Sequence, residues 1–213
     1  MTGSTVPPPL TAALDDIALA GSMTSIEVLQ SVTELAIEIA REGREGRRVG
    51  TLFTVGAEEA VLRHSRCLIL DPLAGHPSSA RRLDDPSLRE TVKELAPLDG
   101  GFVVSGDGIV LSACRYFESR LPERDQPLGL GTRHLAAASI SVATGAIAVV
   151  VSESSVVRVY AGGALQTEIL PELWLLHRSM PHIVGATLRR DAEHNLAIVS
   201  ESSPGSEVTD APP

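Results

Sequence analysis

The sequence of 213 residues predicts an α/β (α+β) fold in which helices cover a mixed parallel and antiparallel central β-sheet. Short apolar runs typical of buried strands are interspersed with amphipathic helical patterns. They do not follow the strict β-α-β alternation of an all-parallel sheet. Apolar residues make up 43% of the chain and aromatic residues only 3%, so the expected core consists of Leu, Val, Ile and Ala.

Charge and hydropathy narrow the function classes. The net charge of −9 argues against general duplex DNA binding, which requires a basic face that releases counterions. The N-terminus lacks the basic segment and apolar core of a signal peptide. No apolar run approaches the roughly 20 residues of a membrane-spanning helix. We therefore expect a cytoplasmic protein with neither DNA nor a membrane as partner.

The predicted organisation is one domain with two extensions. Residues 1–23 form a flexible N-terminal segment, 24–180 the folded domain, and 181–213 a C-terminal extension that is disordered at its end. The first strong helix runs from about Ser25 to Glu42. The stretch Thr24–Glu27 fits a capping box, and Gly43 ends the helix.

The central part of the chain predicts the following elements in order. They are a strand at Val49–Val55, a helix at Ala57–Ser65, a strand at Cys67–Leu70, a loop at Asp71–Pro77, a helix to Ala96 with Asp85 as its N-cap, a hairpin of Gly101–Val104 with Ile109–Ala113, and a mobile loop at Arg115–Gln126.

The last part predicts an alanine-rich helix and further strands. The helix begins after Thr132 and ends near Gly145. Strands at Ala146–Val151, Val156–Tyr160 and Ala164–Leu170 follow, then a helix at Pro171–Ser179 and a stretch at His182–Ser200 whose pattern decides for neither type.

Asp99 stands between a predicted helix and a predicted strand and is followed by Gly100 and Gly101. Glycines let a backbone approach a ligand closely, and a carboxylate there can hold a divalent cation or orient a hydroxyl group. An ordinary Asp-Gly-Gly turn is the alternative interpretation.

Gly131-Thr132-Arg133-His134 lies where a helix begins, so free amide groups and the positive end of the helix dipole face the preceding loop. A hydroxyl, a guanidinium and an imidazole at this place suit a polyphosphate. In the alternative interpretation Thr132 caps the helix and Arg133 is solvated.

Ser152 and Glu153 follow the apolar strand Ala146–Val151. Polar groups at the end of a buried strand stand where open α/β sheets usually bind ligands. By themselves they favour a turn.

In combination, these clusters resemble the diadenylate cyclase domain family, whose hallmarks are Asp-Gly-Ala and Gly-Thr-Arg-His-Arg. The matching stretches are LDGGFVVSGDGIVLSACRYF, LGLGTRHLAAASIS and AIAVVVSES, and REGREGRRVGTLFTVG and SRCLILDPLAGH upstream are also similar. The resemblance covers roughly Ile26–Leu170. It implies a DAC-like fold and a metal-dependent condensation of two ATP into cyclic di-AMP and two pyrophosphates.

The resemblance also implies roles for single residues, with Mg²⁺ or Mn²⁺ as cofactor. It assigns catalysis to Asp99, Arg133 and His134, and the metal to Asp99 and Glu153. The nucleotide and its phosphates would contact a larger set: Gly100, Gly101, Gly131, Thr132, Arg133, His134 and Ser152.

The chemistry adds a requirement on assembly. The product has two-fold symmetry, whereas one domain has one nucleotide pocket, so each ribose 3′-hydroxyl must attack an ATP held by another subunit. We expect a face-to-face homodimer, or a higher homo-oligomer that contains such pairs.

Three positions depart from the family pattern. Gly101 stands where Ala is usual, a loosening that should leave room for the ligand, and Ser154 replaces an acidic residue. Leu135 replaces the second Arg of the motif. A lost charge-assisted bond costs about 1.5–3 kcal/mol. Candidates to replace that charge are Arg115, Arg120 and Arg124.

Three functional hypotheses remain at this point. The first is an active diadenylate cyclase, and the second is a nucleotide-binding relative disabled at Leu135. The third is an enzyme that catalyses the same type of condensation and makes another cyclic dinucleotide, because nothing in the residues themselves specifies adenine.

Overall fold

The computed structural model describes residues 24–118, 131–171, 186–191 and 196–201, together with Leu10, Leu14, Asp15 and Ile17. The chain divides into two compact units, Met1–Ile169 and Leu170–Pro213. The predicted helix at Pro171–Ser179 and the predicted C-terminal disorder fall almost entirely outside the described residues. Among the described helices, none is long and apolar enough to cross a membrane.

A seven-stranded mixed sheet forms the centre of the first unit, with strand order β2-β4-β3-β1-β5-β6-β7. The central strand β1 runs parallel to β3 and antiparallel to β5, which confirms the predicted mixed sheet. The strands are β1 (Thr51–Val55), β2 (Ser65–Cys67), β3 (Gly101–Val104), β4 (Val110–Phe117), β5 (Ile147–Val151), β6 (Val157–Ala161) and β7 (Ala164–Ile169).

Helices cover this sheet. Every residue of β1 and β5 is buried, so both faces of the sheet centre are covered. On one face Ala137 and Ile140 share a core cluster with Leu52 and Val150. The helices are α1 (Ile26–Glu42), α2 (Glu58–Arg63), α3 (Pro86–Leu95) and α4 (Thr132–Thr144), with a 3₁₀ turn at Ser78–Arg81.

The first residues of α1 and α3 show how the local sequence determines where a helix begins. Asp85 caps α3 by accepting a hydrogen bond from the Ser87 amide (2.8 Å), as predicted. In α1 the N-cap is Ser25, whose hydroxyl accepts from the Val28 amide (3.3 Å). The predicted capping box is therefore wrong, because Thr24 lies one position before the cap and its buried hydroxyl has no partner among the described residues.

The edge strand β2 and the strand beside it differ from the prediction. The strand expected at Cys67–Leu70 ends at Cys67, and Leu70 is 94% exposed. The loop expected from Arg115 onward begins later, because β4 continues to Phe117 and pairs with β2. A bulge explains the second error: Cys114 has φ +53°, and the pairing with β3 shifts register there, which breaks the strand periodicity of β4.

The second unit contains an antiparallel pair, β8 (Ala186–Asp191) and β9 (Leu196–Glu201). Ala186 stands opposite Glu201 and Asp191 opposite Leu196. The stretch at His182–Ser200, whose pattern favoured neither helix nor strand, thus contains most of this antiparallel pair.

Candidate functional site

The three polar clusters lie at one end of the sheet, where β1 and β3 begin and β5 ends. Thr51 pairs with Val151, and Phe53 pairs with Phe102, so the first residues of β1 and β3 lie at the same end of the sheet as the last residue of β5. The turn that carries Asp99 and the turn after β5 therefore lie on either side of the start of β1. This end of the sheet is the amino end of the parallel pair β1/β3 rather than the carboxyl end where open α/β sheets usually bind ligands.

Asp99 is exposed in the turn between α3 and β3. Among the residues that the structure describes, its carboxylate has neither a hydrogen bond nor an ion pair. An exposed carboxylate without a structural partner is available to a cation or to a hydroxyl group of a ligand.

Gly100 and Gly101 are required by backbone packing. A Cβ at Gly100, where φ is +100°, would lie 2.7 Å from the carbonyl carbon of Cys114, and one at Gly101 would lie 2.3 Å from the Leu52 carbonyl oxygen. The expectation that Gly101 leaves room for a ligand is therefore wrong. The backbone of β1 and the ring of Phe117 already occupy that space.

The start of α4 is exposed at Gly131 and Thr132. Its N-cap is Gly131, so the alternative in which Thr132 is the cap is wrong, and no side chain among the described residues caps the helix. Thr132 is exposed as the first helical residue, and a Cβ at Gly131 would meet nothing within 4 Å. The first amides of an α-helix have no acceptor inside the helix, so an anionic ligand can bind them.

Arg133 and Glu153 form an ion pair across this end of the sheet, with 3.1 Å between Nη1 and Oε1. Both side chains lie over Gly50, the residue before β1. A Cβ at Gly50 would come within 2.9 Å of Arg133 Nη1 and 3.2 Å of Glu153 Cγ. The absence of a side chain at position 50 makes room for the pair.

Ser152 is engaged within its own turn. Its hydroxyl accepts a hydrogen bond from the Val156 amide (3.2 Å) and lies 2.7 Å from the Ser154 hydroxyl. Its amide donates to the Val156 carbonyl oxygen (3.0 Å). The turn interpretation is thus realised, and any phosphate contact by Ser152 would compete with these bonds.

His134 points into the protein and is only 5% exposed. Its Nδ1 lies 3.2 Å from the Tyr160 hydroxyl, and its Nε2 lies 3.4 Å from Arg158 Nη1. Burial, and next the charge of Arg158, lower the pKa of His134 to about 4. His134 is therefore neutral at pH 7, and both ring nitrogens face protein groups.

Arg115 does not replace the charge missing at Leu135. Its guanidinium donates to the Ser65 hydroxyl (2.8 Å), to the Ser65 carbonyl oxygen (2.9 Å) and to the Leu62 carbonyl oxygen (3.3 Å). These bonds join β4 to β2 and to the end of α2. The other two candidates, Arg120 and Arg124, lie outside the described residues.

Three neighbours of the site were missed in the sequence: Gly50, Arg158 and Tyr160. Arg158 had a detectable signal, since a cation inside the apolar strand Val157–Ala161 must find a partner. Gly50 had none, because its role depends on two side chains distant in sequence.

The carboxylates at this end of the sheet could bind a magnesium-type ion only together with further ligands, such as phosphate oxygens. Among the described residues no group of three or more His, Cys, Asp or Glu side chains could enclose a metal. Mg²⁺ commonly needs only one or two carboxylates plus substrate phosphates. Asp99 meets this demand directly, whereas Glu153 would have to exchange its contact with Arg133.

Relatives with curated names match this region. A diadenylate cyclase of Methanocaldococcus jannaschii is 46% identical over 149 residues, 70% of this chain and 47% of the relative. A diadenylate cyclase of Haloferax volcanii is 40% identical over 156 residues, 73% of this chain and 57% of the relative. The chain thus spans about half the length of these curated relatives.

Two solved structures are also similar. A double mutant of DacA from Staphylococcus aureus has 23% identity and a TM-score of 0.47, covering 71% of this chain and 94% of that one. A hypothetical membrane spanning protein from Bacillus cereus has 20% identity and a TM-score of 0.49, covering 73% of this chain and 68% of that one.

The family model described as DAC, DisA bacterial checkpoint controller nucleotide-binding, matches residues 38–165. That range is more than half of the chain and contains Asp99, Thr132–Leu135 and Glu153. The chain belongs to the DAC family.

Proposed function

We propose that this protein is a diadenylate cyclase, a nucleotidyltransferase that converts two ATP into cyclic di-AMP and two pyrophosphates in the cytoplasm. In each half of the reaction a ribose 3′-oxygen forms a bond to the α-phosphorus of the other ATP. The bond from that phosphorus to the oxygen bridging to the β-phosphate breaks, and pyrophosphate leaves. The hydroxyl proton passes to a base.

One observation supports this proposal most. Asp99, the Arg133–Glu153 pair and the open start of α4 lie at one end of the sheet, on or beside β3, β1 and β5. Strands that flank a common neighbour are about 10 Å apart. A single nucleotide can span that distance, with its ribose near one cluster and its phosphates near the other.

Each residue type suits one part of the reaction. The Asp99 carboxylate can orient the 3′-hydroxyl and accept its proton. The Arg133 guanidinium and the amides of Thr132 and Arg133 can bind phosphate oxygens and stabilise their charge in the transition state. Mg²⁺ or Mn²⁺, held by Asp99 with Glu153 nearby, would neutralise further phosphate charge.

The two-fold symmetry of the product requires two chains. A C2 dimer that brings two such ends face to face would place each 3′-hydroxyl in line with the α-phosphate of the opposite ATP. A single chain should bind ATP without making product. The rate per chain should therefore rise with protein concentration until the dimer is saturated.

The test is to incubate the protein with ATP and Mg²⁺ or Mn²⁺ across protein concentrations and to identify products by mass spectrometry. We expect cyclic di-AMP from the wild type, and Asp99→Asn should lower the rate at least about 100-fold. The control is Asp107→Asn, in the β3–β4 turn at the other end of the sheet, which should retain activity. GTP added in competition with ATP tests whether the site prefers adenine or guanine.

A nucleotide-binding module without catalysis is the second candidate. The uncharged Leu135 favours it, because the family motif has a cation at that position. In this case the wild type binds ATP and yields no product with either metal at any concentration, and Leu135→Arg creates measurable activity. Product formation by the wild type would exclude it.

A further inference from the structure

Arg158 lies inside the protein beside the first turn of α4. It is the second residue of β6 and stands opposite Val150 of β5 and Glu168 of β7. Its side chain is 14% exposed. Nε donates to the carboxylate of Glu168, and Nη1 lies 3.4 Å from Nε2 of His134.

The contact between Arg158 and His134 fixes the tautomer of the imidazole. A guanidinium can only donate hydrogen bonds, so Nε2 of His134 must accept and carries no proton. In the neutral ring the proton then resides on Nδ1, which donates to the Tyr160 hydroxyl at 3.2 Å. His134 consequently has no charge and no free ring nitrogen for a phosphate.

Among the described residues, the start of α4 therefore has few cations for a triphosphate. Of residues 132–135 only Arg133 is charged, and Glu153 partly neutralises it. Leu135 brings no charge. Among the described residues Arg158 is a second cation at this turn, since its Nη1 lies 3.4 Å from Nε2 of His134. Its Nη2 has no hydrogen bond to the described residues, so its two N–H groups have no acceptor among them.

We propose that Arg158 binds a phosphate group of the nucleotide through Nη2 and supplies, from β6, the charge that Leu135 does not supply from α4. The proposal rests on the proposed function, because the phosphates are those of ATP. In this arrangement Glu168 and His134 hold the guanidinium in place, and the low conformational freedom of the bound side chain favours phosphate binding.

A purely structural role for Arg158 makes different predictions. The pair with Glu168 joins neighbouring strands, and such cross-strand pairs stabilise a sheet. If this were its only role, a substitution would lower the melting temperature and leave the preference for triphosphate over nucleoside unchanged.

The experiment compares binding of 3′-deoxy-ATP, which cannot condense, with binding of adenosine, which has no phosphates. Arg158→Gln should weaken 3′-deoxy-ATP about tenfold to a hundredfold and leave adenosine unchanged. The affinity of Arg158→Lys for 3′-deoxy-ATP should lie between those of the wild type and Arg158→Gln. The control Arg66→Gln, on the opposite edge strand β2, should bind both ligands like the wild type.

A second substitution tests whether a cation at position 135 can replace the one at position 158. Leu135→Arg in the Arg158→Gln background should restore most of the lost 3′-deoxy-ATP affinity. The proposal is overturned by unchanged 3′-deoxy-ATP binding in Arg158→Gln, by an equal loss for adenosine, or by the absence of rescue. Thermal unfolding of each variant shows that it is folded.

The same data distinguish this proposal from the proposed function. A wild type that binds 3′-deoxy-ATP but makes no cyclic di-AMP from ATP contradicts the cyclase activity, while the Arg158 result still stands. A wild type that binds neither ligand contradicts both.

Discussion

The guanidinium of Arg133 and the carboxylate of Glu153 form an ion pair with 3.1 Å between Nη1 and Oε1, although 20 residues separate them in the sequence. The pair joins the start of α4 to the turn after β5. The pair also competes with the proposed roles of both side chains. Arg133 can bind phosphate, and Glu153 a cation, only by weakening the ion pair.

Glu153→Gln tests this competition. Both side chains are partly exposed, 35% for Arg133 and 72% for Glu153, so removing the pair should cost less than about 1 kcal/mol of stability. Without metal, the released Arg133 should bind ATP roughly two- to fivefold more tightly. Titration calorimetry with and without Mg²⁺ measures the affinity for ATP. Weaker metal-free binding in the variant would contradict the competition.

Gly101→Ala should destabilise the protein even though Ala is usual here in the family. The new methyl group would meet the Leu52 carbonyl oxygen at 2.3 Å, so strands must shift, at a cost of about 1–3 kcal/mol. Urea unfolding measures the difference. The control is Gly131→Ser, where a Cβ meets nothing and a hydroxyl can cap α4, so stability should be kept or raised.

His134 predicts a pH dependence of stability. Its pKa is about 4 in the folded protein, compared with an ordinary value of 6.5. Between these values the unfolded chain binds more protons than the folded one, so stability falls as the pH drops from 6.5 to 4. The slope from this group approaches about 1.4 kcal/mol per pH unit.

The measurement is urea unfolding at several pH values for the wild type and for His134→Gln, which cannot titrate. The variant should lose most of the slope between pH 6.5 and 4. His76→Gln, at an exposed loop position, is the control and should keep it. Identical slopes in the wild type and His134→Gln would show that the imidazole is solvated.

Lys93 should contribute to stability by linking α3 to α1. Its Nζ lies 3.1 Å from Glu38, 3.2 Å from Glu42 and 3.0 Å from Glu90, and its side chain is only 11% exposed. Burial by itself lowers the pKa of Lys93, but the three carboxylates outweigh it and raise the pKa to about 12.

Lys93→Gln leaves these carboxylates facing one another. We expect a loss of about 1–2 kcal/mol, below the cost for a fully buried pair because the carboxylates are partly exposed. Arg63→Gln is the control, since its pair with Glu59 is exposed at 3.8 Å and should be worth about 0.5 kcal/mol or less. Equal melting temperatures for both variants would contradict the prediction.

The sequence by itself determined the elements that depend on local physics. The apolar stripe of α1, the Asp85-Pro86 start of α3 and the all-apolar strand β5 follow from short-range patterns, and the structure contains all three. The choice of Asp99 and of residues 131–134 as a candidate site needed only residue types beside glycines and a helix start.

Only the tertiary structure decided which groups meet. Strand register pairs Thr51 with Val151, and this brings Gly50 under the Arg133–Glu153 pair. Packing of α4 on β6 buries His134 against Arg158 and Tyr160, which removes its charge. Such contacts join residues that are distant along the chain, and burial changes their pKa, so no local pattern in the sequence contains them.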